Sequence, residues 1–470
     1  MDFTYVQKLA QLASRQGRTR ICTGFAAIDI YRNSKTRMIT HTVNAEKSQR
    51  DVWIAAGVRT PFVRVDGPLL HRDSLTLSVP VARAMAEQVK GRIDFAVWGP
   101  VILNLAYNNL ARELWLDAKL EPQVPTFTTI MQCSTSMIAV FEAAGMLGYG
   151  GTALAMAGGV ESMSHVQVGL KQNLSDWLRR ITQARGFGQR IKVLSKLRPS
   201  DIGLYVPQVK NRATGRSMGE HCEDMAKTWS IGRQEQDQLA LESHLRAVAA
   251  QERGFFADLV IPVDGIIHDG FPRRDTSLDK LAQLKPVFDR QSGRGTLTAG
   301  NSSPLTDGAA AVWVANSVGL ARLPDGLPRA RLVDFEIAAV DIFEEGLLMA
   351  PASAIPRLLA RHHLTFNDIA LWEIHEAFAA QVLCNVRGLE DRDFVRAKVG
   401  IEHTFGRFPR ERVNPNGGSL ALGHPFAATG ARILSQAVKE LAAMPNGCRA
   451  IVSICADGGQ GTVALLETMR

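Results

Sequence analysis

One order of segments occurs twice in this chain, and it limits the fold more than any other feature. A turn of small residues leads into an apolar helix, a glycine- or proline-containing break stops the helix, and a short strand then runs to a glycine pair. In the first copy a helix is expected over 136–147, Gly148-Tyr149-Gly150-Gly151 stops it, and a strand over 153–157 ends at Gly158-Gly159. In the second, Gly417-Gly418 leads to Gly423-His424-Pro425 and a helix runs from about 428 to 443. Pro445-Asn446-Gly447 breaks that helix, and a strand over 450–454 reaches Cys455, with Gly458-Gly459 just beyond. Two such passages describe an α/β protein made of two halves of similar plan.

The other segments fit that frame. Residues 51–57 and 95–103 read as buried strands, the stretch between them has helical spacing that ends near Lys90, and the β-branched run 126–130 leads into Cys133. At 470 residues the chain is too long for one ordinary core. Between the halves, residues 164–286 are charged and poor in β-branched runs, with a helical pattern at 234–251. A segment of that length reads as a lid or substrate-binding subdomain rather than a linker. The expected division is a basic extension over 1–50, a first half over 51–163 and 287–320, a loop domain over 164–286, and a second half over 321–470.

The net charge of +8 is unevenly spread. Residues 1–50 hold nine Lys or Arg against three acids and residues 171–216 hold eleven against Asp176 and Asp201, so the remainder is net acidic. No zinc-ligand spacing or RNA-binding aromatic motif accompanies the basic stretches, and no nucleic acid is expected as a partner. Within 171–216, Trp177, Leu178, Ile181, Ala184, Ile191, Leu194 and Leu197 recur at three-to-four spacing among the basic residues. Either a basic helix packs on its own domain there, or a surface faces phosphates or an anionic membrane. No stretch reaches the roughly 18 apolar residues that span a bilayer. Six scattered cysteines, with no C-x-x-C pair and no secretory signal, fit free thiols in a reducing compartment. The cytoplasm is expected, or the mitochondrial matrix if the basic arm is a transit peptide.

Four places carry chemistry. Cys133, in Gln132-Cys133-Ser134-Thr135-Ser136, stands where a strand enters a helix, so its sulfur is expected near unpaired N–H groups and the positive helix end, with a lowered pKa. Alone, a cysteine in that place is structural more often than catalytic. His424 stands between Gly423, which allows close backbone approach, and Pro425, which fixes a helix start. A histidine so held can take a thiol proton and later donate to an oxyanion, although Gly and Pro would equally flank a structural histidine. Cys455, at a strand end beside glycines, can act as acid or base while backbone N–H groups point into a site. His375, opening His375-Glu376-Ala377-Phe378-Ala379 after an apolar run, is expected at a strand-to-helix junction.

Cys133 in its Ser/Thr-rich turn, Gly158-Gly159-Val160-Glu161-Ser162-Met163-Ser164, Asn301-Ser302-Ser303-Pro304-Leu305-Thr306-Asp307-Gly308, the HEAFA run at 375–379, GGSLALGHP at 417–425 and the final Cys455 occur in the order seen in thiolases. Over residues 51–470 the chain resembles that family. The HEAFA form and the run Arg216-Ser217-Met218-Gly219-Glu220-His221-Cys222 resemble the branch holding the β-subunit of the fatty-acid β-oxidation trifunctional enzyme and its bacterial 3-ketoacyl-CoA thiolase relatives.

The resemblance implies two βαβαβαββ halves in a five-layer α/β/α/β/α arrangement with an inserted loop domain. It implies Cys133 as the nucleophile that takes the acyl group, His424 as its base, Cys455 as a second acid/base, and His375 in place of the Asn that holds an oxyanion-hole water in other thiolases. Glu376 is expected to support that loop, and Ser303, Gly458, Phe378 and Met163 to contact substrate or CoA. It implies coenzyme A as co-substrate, with no metal or other cofactor, and acyl-CoA, a homodimer core and a hydratase/dehydrogenase α-subunit as partners. The basic stretch would then face CoA phosphates or an anionic membrane. A biosynthetic or steroid side-chain thiolase, or a weakly active acyl-CoA-binding subunit, are the alternatives. Asp457 departs from the Gly or Ala of relatives, and a carboxylate there would oppose a developing negative charge unless it is paired or points away.

Overall fold

The computed structural model describes residues 51–149 and 151–469 and, within the first fifty residues, the antiparallel strands β1 (Thr19–Thr23) and β2 (Ala26–Ile30). The rest of the expected basic extension lies outside the described residues.

The first half starts with β3 (Val52–Ala55) and the two-residue β4 (Val63–Arg64), then helix α1 (Ser74–Ala86) and β5 (Phe95–Gly99). Next come α2 (Leu110–Asp117), β6 (Thr126–Phe127), α3 (Thr135–Leu147) and β7 (Leu154–Glu161). The insert carries the short antiparallel pair β8 (Gly169–Leu170) and β9 (Leu204–Tyr205), with α4 (Gln172–Gln183) and α5 (Phe187–Leu194) between them. It continues with α6 (Met218–Thr228) and α7 (Arg233–Glu252), before β10 (Thr306–Ala315) rejoins the sheet. The second half runs β11 (Arg329–Ala339), α8 (Ala350–Arg361), β12 (Leu371–Ile374), α9 (Ala379–Glu390), α10 (Thr429–Ala442), β13 (Arg449–Ala456) and β14 (Gln460–Glu467).

The strand order is β12-β13-β14-β11-β3-β10-β7-β5-β6, with β4 on β10. The first half contributes β6-β5-β7-β10-β3 and the second β12-β13-β14-β11, and the antiparallel β3–β11 pair joins them. The counterpart of β6 is reduced to one parallel bridge between Trp372 and Val413. Helices α3 and α10 lie between the two half-sheets, where Met137, Val140, Ile433 and Leu434 share one core. Covered on both sides, α3 is apolar nearly all round, as such a helix must be. The outer helices are amphipathic instead: Leu77, Val81 and Met85 of α1 pack on Trp98 and Trp313, and Ile355 and Leu358 of α8 pack with Trp372. Helix, sheet, helix pair, sheet and helix make the five layers that the resemblance implies.

The strand expected over 95–103 ends at Gly99, and two further sequence expectations change in detail. The run 126–130 pairs only at Thr126–Phe127, because the next threonines bond sideways: Thr128 Oγ1 donates to Asn109 at 2.9 Å and Thr129 Oγ1 to Glu142 at 3.0 Å. The strand expected over 153–157 instead continues through Gly158-Gly159 to Glu161. These glycines are there for close approach: a Cβ on Gly158 would lie 2.4 Å from the Trp98 ring, and one on Gly159 2.1 Å from the Ala427 carbonyl oxygen. The turn that carries His424 is thereby drawn against β7.

Candidate active site

Cys133 lies in the single turn Gln132–Ser134 that precedes α3. Gln132 takes a left-handed φ of 44°, and Thr135 Oγ1 braces the bend by accepting from the Met131 amide at 2.9 Å and donating to the Gln132 carbonyl at 2.7 Å. The matching turn before α10 delivers His424. Gly423 there has φ 95°, and a Cβ would meet Thr306 at 2.6 Å, so glycine is required on both counts. His424 Nε2 lies 3.2 Å from the Cys133 sulfur, and its Nδ1 2.7 Å from Thr429 Oγ1. With Nδ1–H donating to Thr429, Nε2 is left free to accept the thiol proton.

His375 continues the end of β12, its amide donating to the Ser453 carbonyl at 2.8 Å. Its ring centroid is 4.1 Å from that of His424, its Nδ1 is 2.8 Å from Ser419 Oγ, and its buried Nε2 has no hydrogen-bond partner among the described residues. The Cys133 sulfur and one ring nitrogen of each histidine lie within 4.8 Å of one another. That spacing would also suit a soft metal ion, although the chemistry expected of these groups needs none. Glu376 is buried as well, accepting from Ser243 Oγ, the Asn414 side-chain amide and the Leu420 backbone N–H at 2.6–3.2 Å, and so ties the HEAFA loop to the turn that leads to His424.

Cys455 lies near the end of β13, buried and lining the same pocket as Cys133. Next to it, the tight β13–β14 turn brings the Asp457 backbone N–H close enough to the Cys133 sulfur to favour its thiolate, as the Cys133 N–H also does. The Asp457 carboxylate does not stand free: it accepts from the Asn211 side-chain amide at 2.7 Å and from the Gly458 N–H at 2.6 Å.

The electrostatics reverse one expectation. Burial pushes the Cys133 thiol up to about 12, the carboxylates of Asp457 and Glu161 add to the rise, and the two N–H groups only partly oppose it. Burial, with help from the Arg432 guanidinium, lowers His424 to about 3. The lowered thiol pKa expected from the helix start is therefore not found, because desolvation and two carboxylates outweigh two amides. The resting pair is a neutral thiol and a neutral imidazole. Burial likewise drives the Cys455 thiol well above its ordinary value.

The pocket over these groups has a volume of about 230 Å³. Ser303, Phe378 and Met163 line it; Gly458 is an exposed turn residue, and its neighbour Asp457 lines the wall instead. Sequence reasoning missed the segment 207–210 and Met218 of the insert, which close the outer wall, and Asn211, which anchors that segment to Asp457. The residue pattern of 207–211 gives no signal of this. The supporting contacts of Ser419, Thr429 and Arg432 were missed too, although all three fall within or just after the glycine-rich motif.

A thiol paired with an imidazole and a second thiol lining one pocket of a five-layer α/β fold are groups suited to an acyl-transferring enzyme. Family comparison agrees: "Thiolase, N-terminal domain" matches residues 52–317 and "Thiolase, C-terminal domain" matches 327–468. The chain belongs to the thiolase family. A 3-ketoacyl-CoA thiolase of Yersinia enterocolitica is 36% identical over 429 residues, covering 88% of this chain and 96% of the relative. One from Pseudoalteromonas translucida is 37% identical, covering 89% and 97%. Among solved structures, a thiolase from Ascaris suum in complex with coenzyme A superposes with a TM-score of 0.71 at 26% identity, covering 89% of this chain and all of that one. The Bacillus anthracis acetyl-CoA acetyltransferase gives 0.73 at 31%, covering 89% and 99%.

Proposed function

We propose that this protein is a 3-ketoacyl-CoA thiolase of fatty-acid β-oxidation, cleaving a 3-ketoacyl-CoA with free CoA into acetyl-CoA and an acyl-CoA two carbons shorter. The observation that carries the reading is the 3.2 Å contact between the Cys133 sulfur and His424 Nε2 at the floor of a pocket that Cys455 also lines.

The neutral thiol requires His424 to take its proton as the sulfur attacks the keto carbon, not before. The oxyanion so formed meets Nε2–H of the new imidazolium and the free edge of His375. The bond between the keto carbon and the α-carbon then breaks, its electron pair passes to the acetyl-CoA enolate, and Cys455 protonates the α-carbon. The Cys455 thiolate next takes the proton of CoA, whose sulfur attacks the acyl-enzyme carbonyl. That second oxyanion falls to the N–H groups of Cys133 and Asp457. Cys133 leaves and recovers its proton from His424. One oxyanion donor is typically worth about 3–4 kcal/mol of transition-state stabilisation.

In this reading residues 164–286 act as the loop domain over the CoA arm, with Ser303, Phe378 and Met163 against substrate, in a homodimer that works beside a hydratase/dehydrogenase partner in the cytoplasm. Helices α4 and α5 bury none of their residues, and Phe187 is 82% exposed among basic neighbours, which supports contact with an anionic surface rather than packing on their own domain. No helix among the described residues is long and apolar enough to cross a membrane.

The test is thiolysis of acetoacetyl-CoA and of a long-chain 3-ketoacyl-CoA by the full-length protein. Cleavage of the long-chain substrate is expected. Failure to cleave either one while CoA still binds would replace this reading with that of an acyl-CoA-binding subunit.

A further inference from the structure

We infer that Ser419 is a positioning residue that fixes the proton of His375 on Nε2, so that this ring presents an N–H, not a lone pair, to the oxyanion. The inference rests on the thiolysis reading and deepens it.

Counting donors and acceptors places each proton. Ser419 is fully buried, and its hydroxyl oxygen lies 2.8 Å from Nη2 of Arg432 and 2.8 Å from Nδ1 of His375. Arg432 is itself buried, and its Nη1 donates to Gln436 Oε1 at 2.6 Å. A guanidinium only donates, so the Ser419 oxygen must accept from Arg432. The single hydroxyl proton then has one acceptor in place, Nδ1 of His375. Were Nδ1 protonated instead, Ser419 would accept twice and its own proton would be stranded in a dry interior, an unsatisfied donor that disfavours that state. Arg432 opposes the same state, because a positive charge beside the ring disfavours further protons facing it.

The other edge of the ring agrees. Nε2 of His375 is buried without a hydrogen-bond partner among the described residues, and a ring nitrogen of His375 lies within 4.8 Å of the Cys133 sulfur and of a ring nitrogen of His424. A donor left unsatisfied at rest is placed for an acceptor that exists only during reaction. With the proton on Nδ1, a lone pair would face the oxyanion and repel it. Ser419 thus sets the sign of the dipole that His375 offers to substrate, and Arg432 sets the orientation of Ser419.

The test uses the full-length enzyme labelled with [15N]histidine and reads the His375 tautomer from two-bond 1H–15N correlations, the signals being assigned by their loss in His375→Asn. The wild type is expected to show Nε2–H. Ser419→Ala is expected to shift His375 toward Nδ1–H and to lower kcat roughly 10- to 100-fold with KM for CoA unchanged, part of what a whole oxyanion donor is worth. Ser419→Thr, which keeps the hydroxyl, should restore the Nε2–H pattern and most of kcat. A wild-type ring protonated on Nδ1, or a Ser419→Ala enzyme that keeps Nε2–H, overturns the inference whatever the rate. Absence of wild-type turnover would instead count against the thiolysis reading, since the tautomer is read without substrate.

Discussion

The two halves of the molecule repeat one plan but fill equivalent corners with different chemistry. The turn before α3 carries Cys133 and the turn before α10 carries His424, so the proposed nucleophile and its proposed base occupy corresponding turns and meet across the pair of buried helices. The end of β7 holds Glu161 where the end of β13 holds Cys455. The halves differ most in the connections that leave those strands. After β7 the chain departs from the sheet until β10 and supplies the outer wall of the pocket, whereas after β13 it turns back within Asp457–Gly459. The tight turn holds an amide rigidly at the sulfur, and the long insert brings a wall to the substrate. One frame thus yields both rigidity and reach, according to the length of a single connection.

The strongest way to break this division of labour is at the two matched turns. Cys133→Ala should abolish thiolysis while leaving the melting temperature nearly unchanged, because the side chain is partly open to the pocket and its loss creates little cavity. His424→Ala should lower kcat by about 10²- to 10⁴-fold, leaving the residual attack of an unassisted thiol. Steady-state kinetics and calorimetry on both variants decide the point. Equal losses in which Cys133→Ala retains measurable cleavage would mean that the nucleophile lies elsewhere.

A smaller effect is expected at the strand end of the second half. His375→Ala should reduce kcat about 100- to 1000-fold with little change in KM for CoA, as loss of one oxyanion donor would. A rise in KM with kcat preserved would recast His375 as a binding residue.

The layered α/β frame was legible because it rests on patterns that local sequence carries: apolar runs of strand length, and glycines where backbones touch, as at Gly159 against Ala427. The candidate site residues that the structure brings together were legible because each opens or closes an element at a constrained turn. What could not be read depends on distances between remote segments. Asn211 reaches Asp457 across 246 positions, and nothing near either residue announces the partner. The ionisation of Cys133 escaped for the same reason: the local rule of a helix start favours a thiolate, but the enclosing volume and the carboxylates of Asp457 and Glu161 arrive from elsewhere in the chain.

Asp457 gives the finest test, since it joins the tight turn of one half to the insert of the other. With the thiol raised to about 12, the fraction of thiolate at Cys133 grows about tenfold per pH unit through the whole accessible range. The rate of alkylation by iodoacetamide should therefore climb without a plateau between about pH 7 and 10, and a plateau below about pH 9 would show a thiol far more acidic than this environment allows. Asp457→Asn keeps an oxygen for the Asn211 amide and keeps the backbone N–H at the sulfur, but removes the negative charge. The Cys133 pKa then falls, more thiolate is present at any fixed pH, and alkylation at about pH 8 should speed up a few-fold. If the rate stays the same, the carboxylate is screened from the sulfur, and its role reduces to clasping the 207–211 segment against the pocket.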